Sequence, residues 1–330
     1  MKPATKPVPH GGDLGEAMRR YPDAPRPWLD LSTGINPVPY PLPDLPADLW
    51  TRLPSRADYD ALIEAAAARY GVKDLATIAA APGTQALIQL LPRLLGLPGL
   101  KAAIVGPTYE EHEVSWRRQG HEVRIVDTAA SAQPDEIPVV VNPDNPTGRL
   151  TPLAELRLRT PWIVVDESFA DFLPAAASLV TGRPSNAIVL RSFGKAYGLG
   201  GVRLGFAIAE EDIAAAIREE LGPWAVSGPA LVIGRAALSD EAWLHNAARR
   251  LADDGRRLDD LLKATGFTIL GGTPLFRFVR HDDTAGMVQH LGRHGIHVRA
   301  FFLAPDRLRF GLPGDDAGFR RLAAALAAFR

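Results

Sequence analysis

Cysteine is absent from this chain, which excludes disulfides, thiolate metal sites and a cysteine nucleophile. Charge of one sign is also lacking: 37 basic against 38 acidic residues leave a net charge of −1, so there is no electrostatic footprint for nucleic acid. Long apolar runs are missing. No stretch approaches membrane-spanning length, and the opening MKPATKPVPH has no secretory apolar core, so no membrane association and a cytoplasmic location are expected. Lysine is scarce, six of the 37 basic residues, so a lysine in an unusual setting stands out.

What is present is enough to build a large core. At 330 residues and 46% hydrophobic, one large domain plus a smaller one is expected. Prolines crowd the first 55 residues, which rules out a central helix or strand there. With the His10-Gly11-Gly12 and Gly34-Ile35-Asn36-Pro37 clusters, that segment reads either as a functional irregular stretch or as a flexible tail. Only Leu14–Tyr21 within it looks helical.

From residue 56 the pattern becomes regular. Ala57–Tyr70 reads as a helix stopped by Gly71, and a second helix opens at Gly83-Thr84-Gln85 and runs through Leu95. Apolar strands at 78–81, 102–105, 123–126, 139–141, 163–165, 188–190 and 204–208 alternate with helices or turns, including a helix over 110–118. This is the signature of a mostly parallel sheet covered on both faces. Past Glu210 the character turns to α+β: helices over 212–221, 228–265, 284–294 and 316–329, strands over 275–279, 296–299 and 308–310. The expected division is 1–50 as an N-terminal irregular segment contributing to the active site, 51–225 as the large domain and 226–330 as the small one. There is no internal repeat.

The stretch IVLRSFGKAYGLGGVRLGF, 188–206, concentrates the chemistry. A buried strand ends at Arg191-Ser192, and Lys195 follows among glycines that permit close approach of backbone or ligand. A desolvated lysine has its charged form disfavoured and is prepared to attack a carbonyl; the competing reading is a solvated surface residue. Arg203, in an apolar context, is expected to be buried against an anion. Familiar motifs fail: Gly198 to Arg203 is not G-x-G-x-x-G, Gly194-Lys195 is followed by alanine and is no P-loop, and no G-x-S-x-G occurs. The Glu110-Glu111-His112-Glu113 cluster lacks a second histidine at metal spacing and reads as a solvated helix face, so no metal is expected.

The remaining polar groups sit at the carboxyl ends of successive strands, where doubly wound sheets bind ligands. Gly83-Thr84-Gln85 opens a helix whose free N–H groups suit a phosphate, or is simply a cap. Tyr109 either lays its ring on a planar ligand or is ordinary core. Asn145 lies in the proline-pinned loop NPDNPTG. Asp166 either caps a turn or faces a heterocyclic N–H⁺. Together these parts describe a phosphorylated aromatic aldehyde with a pyridine nitrogen, held by a lysine: pyridoxal 5'-phosphate.

The order G-T-Q, P-T-Y, N-P-D-N-P-T-G, D-E-S-F, S-F-G-K and G-V-R-L-G resembles the fold-type I pyridoxal-phosphate enzymes of the aminotransferase class I/II group over nearly the whole chain. The N-terminal HGGD and LDLSTGINP, with Pro223-Trp224-Ala225-Val226, resemble the threonine-phosphate decarboxylases of cobalamin biosynthesis, a branch close to the histidinol-phosphate aminotransferases. The resemblance implies a homodimer of α/β subunits. Each would have a large cofactor-binding domain with a mostly parallel sheet and a small α+β C-terminal domain. It further implies that Lys195 takes the cofactor aldehyde covalently and Asp166 pairs the pyridinium nitrogen. Asn145 would bond the phenolic oxygen, Tyr109 would stack on the ring, and Gly83, Thr84, Gln85, Ser192 and Arg203 would hold the phosphate. For the substrate, a small phosphorylated amino acid, Arg309 would clamp the α-carboxylate. Arg299 and His10 would be candidates for its phosphate, with Gly34 and Asn36 beside them.

Two positions depart from the aminotransferase pattern. Phe169 stands where those enzymes usually carry a tyrosine that donates to the phenolic oxygen, a change shared with the decarboxylase branch. Leu53-Pro54-Ser55 replaces a Tyr-Pro-Asp that reaches the cofactor phosphate across the dimer. The implied reaction is decarboxylation of O-phospho-L-threonine. Transamination of histidinol phosphate or a similar phosphorylated substrate is the alternative. A non-catalytic cofactor sensor is a third reading, for which the chain leaves no room for a DNA-binding domain.

Overall fold

A computed structural model describes residues 10–96, 99–302 and 304–329. In chain order its elements are α1 (Leu14–Arg20), β1 (Leu29–Leu31), α2 (Arg56–Tyr70), β2 (Ile78–Ala81), α3 (Thr84–Leu95), β3 (Lys101–Val105), α4 (Glu111–Gln119), β4 (Val123–Val126), β5 (Glu136–Val141), β6 (Ile163–Asp166), β7 (Ala187–Ser192), α5 (Phe193–Ala196), β8 (Gly205–Ile208), α6 (Glu211–Leu221), α7 (Gly228–Leu238), α8 (Glu241–Ala264), β9 (Thr268–Thr273), β10 (Phe276–Arg280), α9 (Thr284–Arg293), β11 (Ile296–Ala300), β12 (Arg307–Gly311) and α10 (Asp316–Ala327). The chain divides into two compact units, Val38–Ala248 on the one hand, and Met1–Pro37 with Arg249–Arg330 on the other.

The larger unit is built on a seven-stranded sheet of order β2-β8-β7-β6-β5-β3-β4. β8 alone runs against its neighbours; the pairs β7·β6, β6·β5, β5·β3 and β3·β4 are all parallel. Because side chains alternate along a strand, Val165 and Val189 face one way and Val164, Ile188 and Leu190 the other. The first set shares a core with Leu62 and Ile63 of α2 and Leu231 and Ile233 of α7. The second shares one with Leu87 and Leu91 of α3, Trp116 of α4 and Ile217 of α6. Both faces are therefore covered, which explains why these strands read as unbroken apolar runs.

Local sequence places the helices. Ser55 caps α2 in a reciprocal capping box with Asp58, and Gly71 ends it in the left-handed region at φ 71°. The single helix expected over 228–265 is two helices. Asp240 interrupts it by accepting from the Trp243 N–H at 2.9 Å, which caps α8.

The smaller unit holds a five-stranded sheet of order β1-β11-β12-β10-β9, with β1 parallel to β11 and the other pairs antiparallel. The division differs from the boundaries expected at 50 and 225. α7 shares a core with α2, so the chain just past 225 belongs to the larger unit. Leu29 to Leu31 pair with Ile296 to Val298, which binds the N-terminal segment to the C-terminal residues instead. Residues 1–9 of the expected N-terminal segment lie outside the described residues. Among the described residues, no helix is long and apolar enough to cross a membrane, and no cluster of His, Asp or Glu could hold a metal.

Candidate active site

At the carboxyl edge of the larger sheet, the ends of β2, β3, β5, β6 and β7 bring the expected residues together. So does the start of β8, because that strand runs the opposite way. Lys195 lies in the short α5 that follows Ser192, half-buried, with Nζ 5.3 Å from the centre of the Phe169 ring. The turn is as tight as its glycines suggest: a Cβ on Gly194 would come within 2.9 Å of the Gly200 Cα.

Asp166 ends β6 and is 3% exposed. Its Oδ1 accepts from the Ser168 N–H at 3.0 Å and the Ser168 hydroxyl at 2.5 Å, while His112 Nε2 lies 3.0 Å from Oδ2. Burial by itself disfavours the carboxylate. The His112 bond and charge, with the two Ser168 bonds, outweigh it and hold the carboxyl below its ordinary pKa. A carboxylate offers about four lone-pair positions; three are used, and one is left for an N⁺–H donor.

His112 is a site residue that the sequence reading missed. The Glu110 to Glu113 cluster is no solvated face: Glu111 is 8% and His112 2% exposed. The buried side of α4 is Glu111, His112, Ser115 and Trp116. The i, i+4 spacing of His112 and Trp116 is the signal that could have turned His112 inward.

Tyr109 follows β3, half-buried, with its ring edge-on to His112 at 6.2 Å and its hydroxyl donating to Gln85 Oε1 at 3.1 Å. The Gln85 amide in turn donates to Glu111 Oε2 at 2.6 Å, so its side chain is engaged away from any phosphate and only its backbone N–H remains for one. Asn145 sits half-buried in the loop after β5. That loop is braced by Asp144, which accepts from the Thr108 hydroxyl at 2.6 Å, and by Asn142, which accepts from the Thr151 N–H at 2.8 Å.

Arg203 corrects the expectation of burial: it is exposed, with φ 54°. Its guanidinium lies against Gly83, whose own φ is +85° and on which a Cβ would come 2.8 Å from Arg203 Nη2. A Cβ on Gly205 would come 2.6 Å from the Thr84 N. Two glycines thus keep open a space beside the first N–H groups of the twelve-residue α3, with Arg203 on one side and Ser192 at the same sheet edge. This donor set fits a phosphate, and with Lys195 and Asp166 it fits pyridoxal phosphate.

The smaller unit carries the remaining candidates. Arg309 is 7% exposed; its Nη2 donates to the Ser32 carbonyl at 2.7 Å and its guanidinium lies 5.0 Å from the Phe276 ring centre. Arg299 stands directly opposite Arg309 in the β11·β12 ladder. Gly34 is buried and Asn36 is 1% exposed. His10 is exposed, but the neighbouring backbone is packed: the Gly12 N–H donates to Ser32 Oγ at 2.7 Å, and a Cβ on Gly11 would meet the Ser32 carbonyl oxygen at 2.4 Å. From residue 10 onward the proline-rich segment is folded rather than a tail.

Comparison with known proteins agrees with this fold. The family model described as aminotransferase class I and II matches residues 47–326. The chain belongs to that family. Within it, the chain is similar to the threonine-phosphate decarboxylase of Pseudomonas aeruginosa, 42% identical over 332 aligned residues covering 97% of this chain and 98% of that one. It is equally similar to the threonine-phosphate decarboxylase of a Sinorhizobium species, again 42% identical with the same coverage. Among solved structures, the histidinol-phosphate aminotransferase of Sinorhizobium meliloti in complex with pyridoxal-5'-phosphate superposes with a TM-score of 0.82. That match spans 99% of this chain and 96% of that one at 22% identity, a likeness of fold. Family membership accounts for the sheet and the helices on both its faces.

Proposed function

We propose that the chain is a pyridoxal-phosphate-dependent carboxy-lyase that converts O-phospho-L-threonine to (R)-1-amino-2-propanol O-phosphate in cobalamin biosynthesis. The observation that carries this reading is the 42% identity, across nearly the whole of both chains, to threonine-phosphate decarboxylases. Arg309 and Arg299, register partners in the β11·β12 ladder, offer two cations to a substrate that carries a carboxylate and a phosphate.

The bound cofactor supplies an electron sink for the pair left on Cα when the carboxyl group departs as CO₂. Asp166, ionised and oriented by His112 and Ser168, holds the proton on the ring nitrogen. Asn145 bonds the phenolic oxygen and Tyr109 covers the ring. The α3 N-terminus, Ser192 and Arg203 bind the phosphate. Lys195 would hold the cofactor aldehyde covalently; once the substrate amine had displaced it, its freed Nζ, or a water, would return a proton to Cα, so that a C–H bond would replace the C–C bond lost. Phe169 presents an apolar ring to Lys195 and has no hydroxyl to donate. Arg309 binds the substrate carboxylate, and Arg299 and His10 its phosphate, beside Gly34 and Asn36.

The proposed assembly is a homodimer, and the proposed compartment is the cytoplasm. Trp50, Leu53 and Trp224 are 69%, 63% and 58% exposed. Trp224 and Pro54 line an apolar-walled cavity of about 300 Å³ with Tyr59 and Leu231. So much exposed apolar surface favours cover by a second subunit.

Purified holoprotein incubated with O-phospho-L-threonine should release CO₂ and the phosphorylated amino alcohol. Lys195→Ala should yield no borohydride-fixed cofactor, and Arg309→Ala should raise KM for the substrate far more than it weakens cofactor binding. A keto acid formed without CO₂ rejects the decarboxylase in favour of an aminotransferase for a phosphorylated substrate.

A further inference from the structure

The side chains of Gln85 and Glu111 take neither of the roles their sequence context suggests, a phosphate contact for the first and a solvated surface for the second. They form a continuous chain with Tyr109, hydroxyl to Gln85 Oε1 at 3.1 Å and Gln85 Nε2 to Glu111 Oε2 at 2.6 Å. The chemistry of the end group fixes its direction. A carboxylate only accepts, so the amide must turn its N–H₂ to Glu111, its oxygen then faces Tyr109, and the phenol must donate. Glu111 occupies the first turn of α4, where the exposed N–H groups favour a negative charge. The next residue, His112, is the one that bonds Asp166.

We infer that Gln85 and Glu111 are positioning residues for the Tyr109 ring. They pin its hydroxyl, and with it the tilt of the face that covers the cofactor. They also commit the phenolic proton to Gln85, so toward a bound ligand the Tyr109 oxygen can only accept. The first turn of α4 then sets two things through consecutive residues: the aromatic cover through Glu111, and the carboxylate at the ring nitrogen through His112. This inference rests on the proposed cofactor, which Tyr109 must cover for its tilt to matter.

A double-mutant cycle tests it, read as the affinity of the apoprotein for pyridoxal phosphate by equilibrium dialysis and as the visible circular dichroism of the bound cofactor. Tyr109→Phe and the near-isosteric Gln85→Met should each weaken binding by about five- to tenfold through loss of the part-buried Tyr109–Gln85 hydrogen bond. Because both break the same bond, the double variant should be no weaker than either single one. Glu111→Gln, which can still accept from Gln85, should stay within about twofold of the parent, whereas Glu111→Leu should match Gln85→Met. Effects of Gln85→Met and Tyr109→Phe that multiply would overturn the inference and return the Gln85 side chain to the phosphate. So would Glu111→Gln as damaging as Glu111→Leu, which would mean that the charge matters and not the acceptor. If Gln85→Met melts early, Glu111→Leu replaces it in the cycle: added to Tyr109→Phe it should cost nothing more, and a further loss would overturn the inference. Failure of the parent chain to bind the cofactor at all would instead strike at the proposed function.

Discussion

Replacing Arg191 by methionine should destabilise the larger unit severely. Arg191 lies on β7, four residues before Lys195. Its Nη1 is 2.9 Å from Glu167 Oε2, its Nη2 is 2.9 Å from Asp171 Oδ1, and its guanidinium carbon sits 4.6 Å from the Tyr70 ring centre. The side chains of Arg191, Glu167 and Asp171 are 4%, 0% and 2% exposed. Burial alone would push the guanidinium pKa down; Asp171, Tyr70 and Glu167 more than offset this and hold it charged. Methionine keeps most of the packing but leaves two carboxylates buried without their cation.

Breaking a buried ion pair in this way costs about 3–5 kcal/mol. The two losses should not simply double that figure. Glu167 keeps its bonds from the Ser178 hydroxyl and the Leu179 N–H, and Asp171 keeps Arg69 at 3.7 Å. Urea unfolding of the apoprotein at neutral pH measures the difference. The triple variant Arg191→Met, Glu167→Gln, Asp171→Asn should recover most of it, because no buried carboxylate is then left without its cation. A single variant within about 1 kcal/mol of the parent, or a triple variant no better than the single, would refute the reasoning. Glu167 and Asp171 bracket Phe169, and Glu167 follows Asp166 directly, so the same clamp holds the turn that carries Asp166 and Phe169.

Two further expectations concern pH and assembly. The Asp166 pKa is depressed in the folded chain, so what its ionised form contributes is complete above the unfolded value of about 3.9 and disappears only as pH falls through the lower folded value. Cofactor retention should therefore show no Asp166-dependent loss between neutral pH and about 4, and Asp166→Asn should weaken retention throughout that range; an acid limb above pH ~5 that Asp166→Asn removes would contradict the depressed value. In sedimentation velocity the parent chain should run as a dimer and Trp224→Ser combined with Leu53→Lys should shift it toward monomer; a parent monomer at micromolar concentration would rule the dimer out.

Strands buried on both faces were legible in the sequence because they read as apolar runs whatever their order, and Ile78–Ala81 has the observed bounds. The gathering of Lys195, Asp166, Asn145 and Tyr109 at one sheet edge was legible for a related reason: parallel strands bring their carboxyl ends together, so the residue after each run is a candidate without any knowledge of strand order. Two strands were not legible. β1 has only three residues amid prolines and depends on a partner more than 260 positions away. β9 contains Gly271 and Gly272, and its pairing with β10 shifts register between Phe278 and Val279, which obscures a period of two. Side-chain commitments were harder still. His112 looks like one charge among four until its helix is seen to turn it toward Asp166. Gln85 divides its backbone and side chain between different tasks, and motif order carries no trace of that.

The smaller unit is assembled from chain on both sides of the larger one, and this bears on the order in which the protein comes into being. A ribosome releases Val38–Ala248 with every strand of its sheet already present, so that unit can close while synthesis continues. Leu29 to Leu31 emerge before the larger unit yet must wait for Ile296 to Val298 before they have a neighbour to pair with. A transcript cut short after the larger unit would thus yield a folded body trailing an unmatched strand, a ready seed for edge-to-edge association.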